Sequence, residues 1–337
     1  MIKEATGILA KGSDLSSLQM QVVMEEIMTG KSETAEIVSF LSALSSKGET
    51  SEEVTAAVSV MRRHATRIHT DKEPLLDTCG TGGDKKGVFN VSTVVAFVAS
   101  GAGITVAKHG NRCVTSCCGS ADILEALGVD INMPKEKLER CLSDIGIAFL
   151  FAPNLHPAMK YAMPARKQIP TRTIFNILGP LTNPAGATHQ LVGVYDRRWT
   201  GILAEVLRNL GTAHALFVHS EDGLDEITTT AKTYISEEQK GKLKSYEIFP
   251  EDFGMKRAKL EDLKGGAIAD NVKIALDILE GKPGAHRDMV LLNAAAAVYV
   301  ADKAESIKDG MGLAAESIDS GKALKKLEQL KEYSLRG

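Results

Sequence analysis

From about residue 74 the chain alternates short apolar runs with helical segments, and few folds accommodate that pattern. Candidate strands cover 75–78, 104–107, 147–151, 190–195 and 215–218, with further candidates at 233–236 and 246–249. Candidate helices between them cover 91–100, 121–127, 135–145 and 200–210. Strands and helices at this spacing predict an α/β domain with a largely parallel central sheet flanked by helices. Ligands of such sheets bind at the carboxyl ends of the strands.

Residues 1 to about 68 instead predict a small N-terminal helical domain. Apolar residues fall at helical spacing in two segments, 37–44 and 54–61. Thr50 and Glu53 open the second segment with the form of a capping box. No catalytic constellation occurs in this region, so we expect these helices to pack against the rest of the chain.

Residues 166–186 interrupt the alternation of strands and helices. The segment 171–180 could be a helix that Gly179-Pro180 stops, followed by turn residues at 182–186. The chain then ends in helical patterns at 272–280, 288–303 and 314–333. The last has a charged face, and we expect it to cover the sheet.

The composition and charge of the chain restrict where the protein is expected to reside and which partners it is expected to bind. The formal net charge of −3 gives no overall attraction to nucleic acid or anionic membranes. The N-terminus lacks the pattern of a secretory signal, and the longest apolar runs are too short to span a bilayer. We therefore expect a cytoplasmic protein with neither nucleic-acid nor membrane partners. The five cysteines include no Cys-x-x-Cys pair, which favours reduced thiols over disulfides or a zinc site.

Clusters of Gly, Ser, Thr and Asn stand where apolar runs give way to helical patterns, at 80–84, 90–93 and 119–122. Backbone N–H groups at such positions lie at a helix N-terminus, which is a natural phosphate-binding site. The first cluster alone could be a simple turn, and it matches neither the dinucleotide fingerprint nor the P-loop. An acidic pair, Asp225-Glu226, follows the candidate strand 215–218.

These motifs in this order and spacing resemble the anthranilate phosphoribosyltransferase family, a group of enzymes of tryptophan synthesis. The matching stretches cover nearly the whole chain: 80–84, 90–93, 108–112, 172–176, 179–184 and 225–226. The resemblance implies transfer of the phosphoribosyl group of phosphoribosyl pyrophosphate to anthranilate, giving N-(5-phosphoribosyl)anthranilate and pyrophosphate. It also implies a helical domain of 1–68 completed by about 166–186, an α/β domain of 69–165 and 187–337, and a homodimer through the helical domain.

The resemblance assigns site residues by position. Phosphoribosyl pyrophosphate would contact Gly80, Thr81, Gly83, Asp84, Val88, Asn90, Val91, Ser92, Thr93, Lys108, Ser116 and Ser120. Anthranilate would contact Gly80, His109, Asn111, His156 and Arg166, since a guanidinium matches a carboxylate bidentately. For each histidine a purely structural hydrogen bond is an equal alternative. Two Mg²⁺ ions per monomer are expected, with Ser92, Asp225 and Glu226 as metal ligands.

The implied chemistry needs no covalent nucleophile. The aniline nitrogen of anthranilate is neutral at pH 7, so we expect direct bond formation through an oxocarbenium-like transition state, stabilised by charge and positioning. Two positions depart from the family pattern. Val88 replaces a common threonine, and Cys117-Cys118 replaces a common Lys-Ser pair. Lys85 and Lys86 could compensate for the missing lysine electrostatically.

Two other functions remain open from the sequence. A pyrimidine nucleoside phosphorylase shares the helical-plus-α/β architecture and attacks the same ribose carbon, but it needs neither the acidic pair nor Arg166. A noncatalytic nucleic-acid-binding relative should carry a basic surface, which the net charge of −3 does not favour.

Overall fold

A computed structural model describes residues 1–84, 86–112 and 118–336. Its α-helices are α1 (Ile2–Leu9), α2 (Ser17–Met28), α3 (Thr34–Lys47), α4 (Ser51–His64), α5 (Val91–Gly101), α6 (Ser120–Ala126), α7 (Lys135–Asp144), α8 (Ala152–Leu155), α9 (Met159–Gln168), α10 (Phe175–Leu178), α11 (Arg198–Asn209), α12 (Ile268–Leu279), α13 (Ala285–Val300), α14 (Ile307–Asp319) and α15 (Lys322–Leu335). Its strands are β1 (Leu75–Gly80), β2 (Thr105–Gly110), β3 (Ile147–Phe151), β4 (His189–Gly193), β5 (His214–Ser220), β6 (Thr233–Gln239) and β7 (Lys242–Ile248). Short 3₁₀ turns cover Gly179–Leu181, Pro250–Phe253 and Leu260–Leu263.

The strands form one seven-stranded sheet in the order β3-β2-β1-β4-β5-β6-β7. Strands β1 to β5 pair in parallel, whereas β6 and β7 form an antiparallel hairpin at one edge. The predicted fold class, a small helical domain plus an α/β domain with a largely parallel sheet, is confirmed. Each predicted strand is present, and several run longer than their apolar stretch because they continue into the polar residues of the site.

The two faces of the sheet pack into two separate hydrophobic cores. On β5, Leu216 and Val218 belong to one core, while Ala215 and Phe217 belong to the other, as the two-residue period of a strand requires. The second core also contains the apolar faces of the N-terminal helices, including Phe40 on α3. The helical bundle is therefore continuous with one face of the sheet.

The predicted capping box at the start of α4 is present. The Thr50 hydroxyl accepts a hydrogen bond from the Glu53 amide at 3.2 Å, and the Glu53 carboxylate accepts one from the Thr50 amide at 2.9 Å. Glu53 is fully buried, and its carboxylate also accepts hydrogen bonds from Lys47 at 2.7 Å and from the Leu15 amide at 2.9 Å. These donors satisfy the buried charge and join α3, α4 and the loop before α2.

Two helix predictions were wrong. The expected single helix over 314–333 is two helices, because the chain breaks at Ser320-Gly321 and Gly321 adopts a φ of +75° that favours glycine. The expected helix over 171–180 is only the four-residue α10 followed by a 3₁₀ turn. The Thr173 amide there donates to the Asn176 side chain at 2.8 Å. The helix begins only at Phe175, four residues after the predicted start.

Helix α9 was not predicted from the apolar pattern, and it packs against α2 and α3 of the bundle. Helix α15 packs against α5, α7 and β3, so it lies over the sheet's helical layer as well as its edge. Among the helices that the structure describes, none combines the length and apolar character that crossing a bilayer requires.

Candidate functional site

The strand order reverses at β1, which lies between β2 and β4 in the interior of the sheet. From β1 the chain adds β2 and β3 on one side and then β4 and β5 on the other. The carboxyl ends of β1 and β4 meet where Gly80 pairs with Gly193. Ligands of open α/β sheets bind in the crevice at such a switch point, so this edge is the candidate site.

The acidic pair closes over this edge. The Gly82 amide donates to a carboxylate oxygen of Asp225 at 2.9 Å. A β-carbon at Gly193 would overlap the main-chain oxygen of Asp225. Only glycine permits this close approach, which fixes the acidic loop against the ends of β1 and β4.

Three carboxylates lie together here. The Asp84 and Asp225 side chains lie within hydrogen-bonding reach of each other; burial and the charge of Asp84 raise the pKa of Asp225 to about 7. Burial and the charge of Asp225 raise the pKa of Glu226 well above its usual value. Carboxylates held this close repel each other unless a cation or protons neutralise them.

The chemistry of this donor set fits Mg²⁺, which prefers oxygen ligands. Within residues 1–84, 86–112 and 118–336, no three His, Cys, Asp or Glu side chains are arranged as a complete metal-binding cluster. Mg²⁺ commonly binds through one or two protein carboxylates and completes its octahedron with water and substrate phosphate oxygens. The acidic pair therefore suits a metal that arrives with a phosphorylated substrate.

The N-terminus of α5 and Lys108 lie beside the acidic pair. The Ser92 amide lies close enough to the Glu226 carboxylate to lower its pKa, against the effect of burial. The buried Lys108 ammonium donates to the Thr78 carbonyl at 2.6 Å and to the Ser92 hydroxyl at 3.2 Å. Burial lowers the pKa of Lys108, while the charges of Asp77 and Glu226 act in the opposite sense. The candidate phosphate site and the candidate metal site thus share a boundary at Ser92.

The other predicted residues near this helix make contacts of their own. The Asn90 amide group donates to the Cys118 carbonyl at 3.2 Å and to the buried Asn271 at 3.3 Å. Among the described residues, the buried Thr93 hydroxyl has no hydrogen-bond partner. Val91 is buried in the first turn of α5.

Main-chain contacts tie the glycine-rich loop to β4. The Thr81 amide donates to the Gly193 carbonyl at 2.9 Å, and the Thr81 hydroxyl accepts from the Tyr195 amide at 3.1 Å. Val88 forms an isolated antiparallel bridge with Lys264. These contacts hold both ends of the loop that carries Gly82 to Asp84.

Strands β1 and β2 separate as they approach the site. Their pairing stops at Leu76 and Val106. Beyond that point, side chains form the hydrogen bonds that main-chain groups of a paired strand would otherwise receive from the neighbouring strand. The carboxylate of Asp77 accepts from the His109 amide at 3.0 Å, and the Asn183 amide group donates to the Ala107 carbonyl at 2.8 Å. Asn183 also donates to Asp77 at 2.8 Å, so the two side chains close the gap together.

Burial raises the pKa of the completely enclosed Asp77 to about 6, although the hydrogen bond from Asn183 and the charge of Lys108 oppose that shift. The sequence analysis assigned neither Asp77 nor Asn183 to the site. A usable signal was present, because a carboxylate inside the apolar run Leu75-Leu76-Asp77 must find buried partners.

His109 and His156 contact each other at the end of β2. Their Nε2 atoms lie 3.2 Å apart, and both rings are buried. This contact is a hydrogen bond between the two rings, with one Nε2 as donor and the other as acceptor, and the Gly179 and Thr182 carbonyls lie near the rings of His109 and His156 respectively. Burial lowers the pKa of His109 to about 3 and that of His156 to about 4, so both rings are neutral at pH 7. Each histidine thus has the structural hydrogen bond that the sequence left as an alternative.

Arg166 and Asn111 lie on separate elements. Arg166 lies on α9, with its guanidinium carbon 5.4 Å from the ring centre of Phe175. In the described part of the chain no carboxylate pairs with it, and burial lowers its pKa. Asn111 is exposed after β2, and its side-chain oxygen accepts from the Arg112 amide at 2.7 Å. Arg166 is therefore a cation available to a ligand.

The structure brings some predicted residues into direct contact. Asp84, Ser92, Lys108, Asp225 and Glu226 lie together, Gly80 and Thr81 adjoin them, and Gly82, which was not on the predicted list, joins them through its amide. Ser120 instead donates to the Asn111 carbonyl at 3.3 Å at the start of α6. The predictions for Ser116, Lys85 and Cys117 lie outside the described residues.

Comparison with known proteins agrees with this arrangement. Residues 3–65 match the model of the glycosyl transferase family, helical bundle domain, and residues 72–324 match that of the glycosyl transferase family, a/b domain. An anthranilate phosphoribosyltransferase of Methanobrevibacter smithii is 52% identical over 334 residues, which covers 99% of each chain.

Solved structures show the same likeness. Anthranilate phosphoribosyltransferase from Thermus thermophilus superposes with a TM-score of 0.94 at 41% identity, over 98% of this chain and 99% of the other. The enzyme from Saccharomyces cerevisiae in complex with phosphoribosyl pyrophosphate and Mg gives 0.89 at 28% identity, over 99% and 97%. Its complex with 4-fluoroanthranilate gives 0.88 at 27% identity, also over 99% and 97%. The resemblance seen in the motifs is confirmed, and the chain belongs to the anthranilate phosphoribosyltransferase family.

Proposed function

We propose that this protein transfers the 5-phosphoribosyl group of phosphoribosyl pyrophosphate to the amine of anthranilate, releasing pyrophosphate. It is a pentosyltransferase of tryptophan biosynthesis. The observation that carries the proposal is the meeting of three elements at the switch point. Hydrogen bonds join the glycine-rich loop to Asp225 and Lys108 to the N-terminus of α5, and the Ser92 amide lies beside the Glu226 carboxylate.

The diphosphate end of the substrate is expected to lie along the glycine-rich loop and α5. The N–H groups of Thr81, Gly82 and Val91 already donate within the chain, so those of Gly83 and Asp84 are proposed as the loop's donors, and the N-terminus of α5 favours negative charge. The proposed contacts are Gly80, Thr81, Gly83, Asp84, Val88, Asn90, Val91, Ser92, Thr93, Lys108, Ser116 and Ser120. Lys108 keeps its ammonium beside Ser92 through the bond to Thr78, which holds the positive charge at one place.

Ser92, Asp225 and Glu226 are proposed to hold Mg²⁺, with two ions per monomer. The S. cerevisiae relative was crystallised with phosphoribosyl pyrophosphate and Mg. When bound, the metal would neutralise negative charge on the departing pyrophosphate. The chain contributes the ordering of these ligands, since Gly82 and the Ser92 amide fix the two carboxylates.

Anthranilate is proposed to contact Gly80, His109, Asn111, His156 and Arg166. The unpaired guanidinium of Arg166 suits the carboxylate of the acceptor. The neutral rings of His109 and His156 add a wall without a competing charge. Because the aniline nitrogen needs no activation, the residues act by placing it in line with the ribose carbon, and no covalent nucleophile is required.

The assembly and domain limits are further proposals. Residues 1–68 with about 166–186 form the helical domain, and 69–165 with 187–337 form the α/β domain. A homodimer through the helical domain and a cytoplasmic location complete the proposal.

Product analysis tests the reaction. Purified protein is incubated with Mg²⁺, phosphoribosyl pyrophosphate and anthranilate, and pyrophosphate is quantified alongside phosphoribosylanthranilate. One pyrophosphate for each anthranilate consumed is expected. A parallel incubation with uridine or thymidine and inorganic phosphate tests phosphorolysis. Release of free pyrimidine base, with no consumption of anthranilate, would overturn the proposal.

A further inference from the structure

Arg172 lies across the glycine-rich loop. Its guanidinium donates a hydrogen bond to the Gly83 carbonyl, and its Cζ atom lies 3.5 Å from the ring centre of Tyr195. A guanidinium stacked on an aromatic face is held by cation–π attraction. Among the described residues, no carboxylate forms an ion pair with Arg172. Its contacts are therefore those of a clamp between a ring and a loop carbonyl.

The ring under Arg172 is itself fixed. The Tyr195 hydroxyl accepts a hydrogen bond from the indole of the buried Trp199 at 3.0 Å. The Tyr195 amide donates to the Thr81 hydroxyl at 3.1 Å. Tyr195 thus contacts the loop at Thr81 through its amide. Its ring supports Arg172, which contacts the same loop at Gly83.

Arg172 also connects the loop to the helical bundle. Its carbonyl accepts a hydrogen bond from the Ser45 hydroxyl at 3.1 Å, and Ser45 lies on α3. The segment that follows is held by the Thr173 amide, which donates to Asn176 at 2.8 Å. The guanidinium and the backbone of Arg172 therefore join the helical bundle to the loop that carries Gly82 to Asp84.

We propose that Arg172 and Tyr195 are positioning residues, which hold the segment Gly82–Asp84 in the conformation that receives the pyrophosphate group. The residues act through the loop and need not touch the substrate. Gly82 is the residue whose amide contacts Asp225, so movement of the loop also shifts a donor of the acidic pair. The kinetic part of this inference rests on the proposed transferase function.

Steady-state kinetics of the full chain test it. Arg172→Lys removes the planar guanidinium, and Tyr195→Leu removes the ring. Each is expected to raise KM for phosphoribosyl pyrophosphate about 3- to 10-fold, the range for weakening one partly exposed cation–π contact. KM for anthranilate stays unchanged. Tyr195→Phe keeps the stacking ring but removes the hydroxyl that accepts from Trp199, so its KM for phosphoribosyl pyrophosphate is expected to lie between those of wild type and Tyr195→Leu.

The matched control is Arg197→Lys. Arg197 stacks on Tyr234 at 3.7 Å, the same kind of contact, without a described contact to the loop. It leaves both KM values unchanged. A raised KM in Arg172→Lys alone, with Tyr195→Leu equal to wild type, would mean direct substrate contact and would overturn the inference. Equal values in all variants would overturn it too.

Hydrogen–deuterium exchange in the substrate-free protein gives a readout that does not need catalysis. Peptides covering 78–84 are expected to exchange about 3- to 10-fold faster in Arg172→Lys and Tyr195→Leu than in wild type and Arg197→Lys. If wild type fails to consume anthranilate, the proposed function fails while this experiment still decides the clamp. Exchange at the wild-type rate in both disrupted variants would refute the clamp by itself.

Discussion

Replacing Asn183 with alanine tests how the open end of the β1–β2 pair is stabilised. The Asn183 amide group donates two hydrogen bonds of 2.8 Å, one to Asp77 and one to the Ala107 carbonyl. Asp77 is completely buried and Asn183 is 5% exposed, so water cannot replace these donors without a change in packing. An unpaired buried acceptor costs about 1–3 kcal/mol, and a charged one costs more. Loss of a donor to the Asp77 carboxylate and of one to the Ala107 carbonyl together predict a decrease of about 3–5 kcal/mol in the free energy of unfolding.

The loss should depend on pH in a defined direction. Burial raises the pKa of Asp77 from 3.8 to about 6. Between those values the folded state binds more protons than the unfolded state, so the Asp77 contribution falls as pH rises and levels off above about 6. Asn183 lowers that pKa. Without it the pKa rises further, and the variant continues to lose stability at higher pH. The difference between wild type and variant is therefore larger at pH 8 than at pH 5.

Urea unfolding followed by circular dichroism at pH 5 and pH 8 measures this difference. The matched control is Asn209→Ala, at the exposed end of α11, which should change stability by less than about 0.5 kcal/mol. An Asn183→Ala protein as stable as wild type would refute the reasoning. A loss of the same size at both pH values would show that Asp77 does not respond to Asn183.

Three further predictions concern the site. Arg166→Gln should raise KM for anthranilate about 30-fold and leave KM for phosphoribosyl pyrophosphate unchanged in steady-state kinetics, because it removes one charge-assisted bidentate contact; equal rises in both constants would contradict this. Gly193→Ala should abolish most transfer activity, since its β-carbon would overlap the Asp225 carbonyl, whereas Gly201→Ala, which has open space, should retain it; an active Gly193→Ala enzyme would contradict the geometry. Asp225→Asn should lower the rate of transfer at least about tenfold. It should nevertheless raise the melting temperature of the metal-free protein at pH 8, because it relieves the repulsion between residue 225 and Asp84. A lowered melting temperature would show that Asp84 and Asp225 do not repel each other there.

The sequence predicted the sheet well because its strands are short apolar runs between helical segments. It also predicted that the candidate site residues would meet at one edge of the sheet, since Gly80 and Lys108 end or nearly end strands whose carboxyl ends share that edge. Helix α9 escaped notice because its apolar residues are few and Pro164 lies inside it. The break between α14 and α15 had only the weak signal of Ser320-Gly321.

Contacts between distant segments could not be derived from local pattern. Asn183 lies 106 positions from Asp77, and Arg172 lies 89 positions from Gly83, so only the folded chain shows that they meet. The acidic pair illustrates the same limit. An acidic pair after a strand is ordinarily an exposed turn, and its half-buried position against Gly193 and the α5 N-terminus follows from the strand order.

Loss of anthranilate fluorescence on addition of phosphoribosyl pyrophosphate, with and without Mg²⁺, tests the central claim most directly. The measurement compares wild type with the Asp225→Ala/Glu226→Ala double variant, and circular dichroism verifies that both are folded. The proposed function predicts magnesium-dependent loss of fluorescence in wild type and none in the double variant. Unchanged fluorescence in folded wild-type protein with Mg²⁺ present would contradict it.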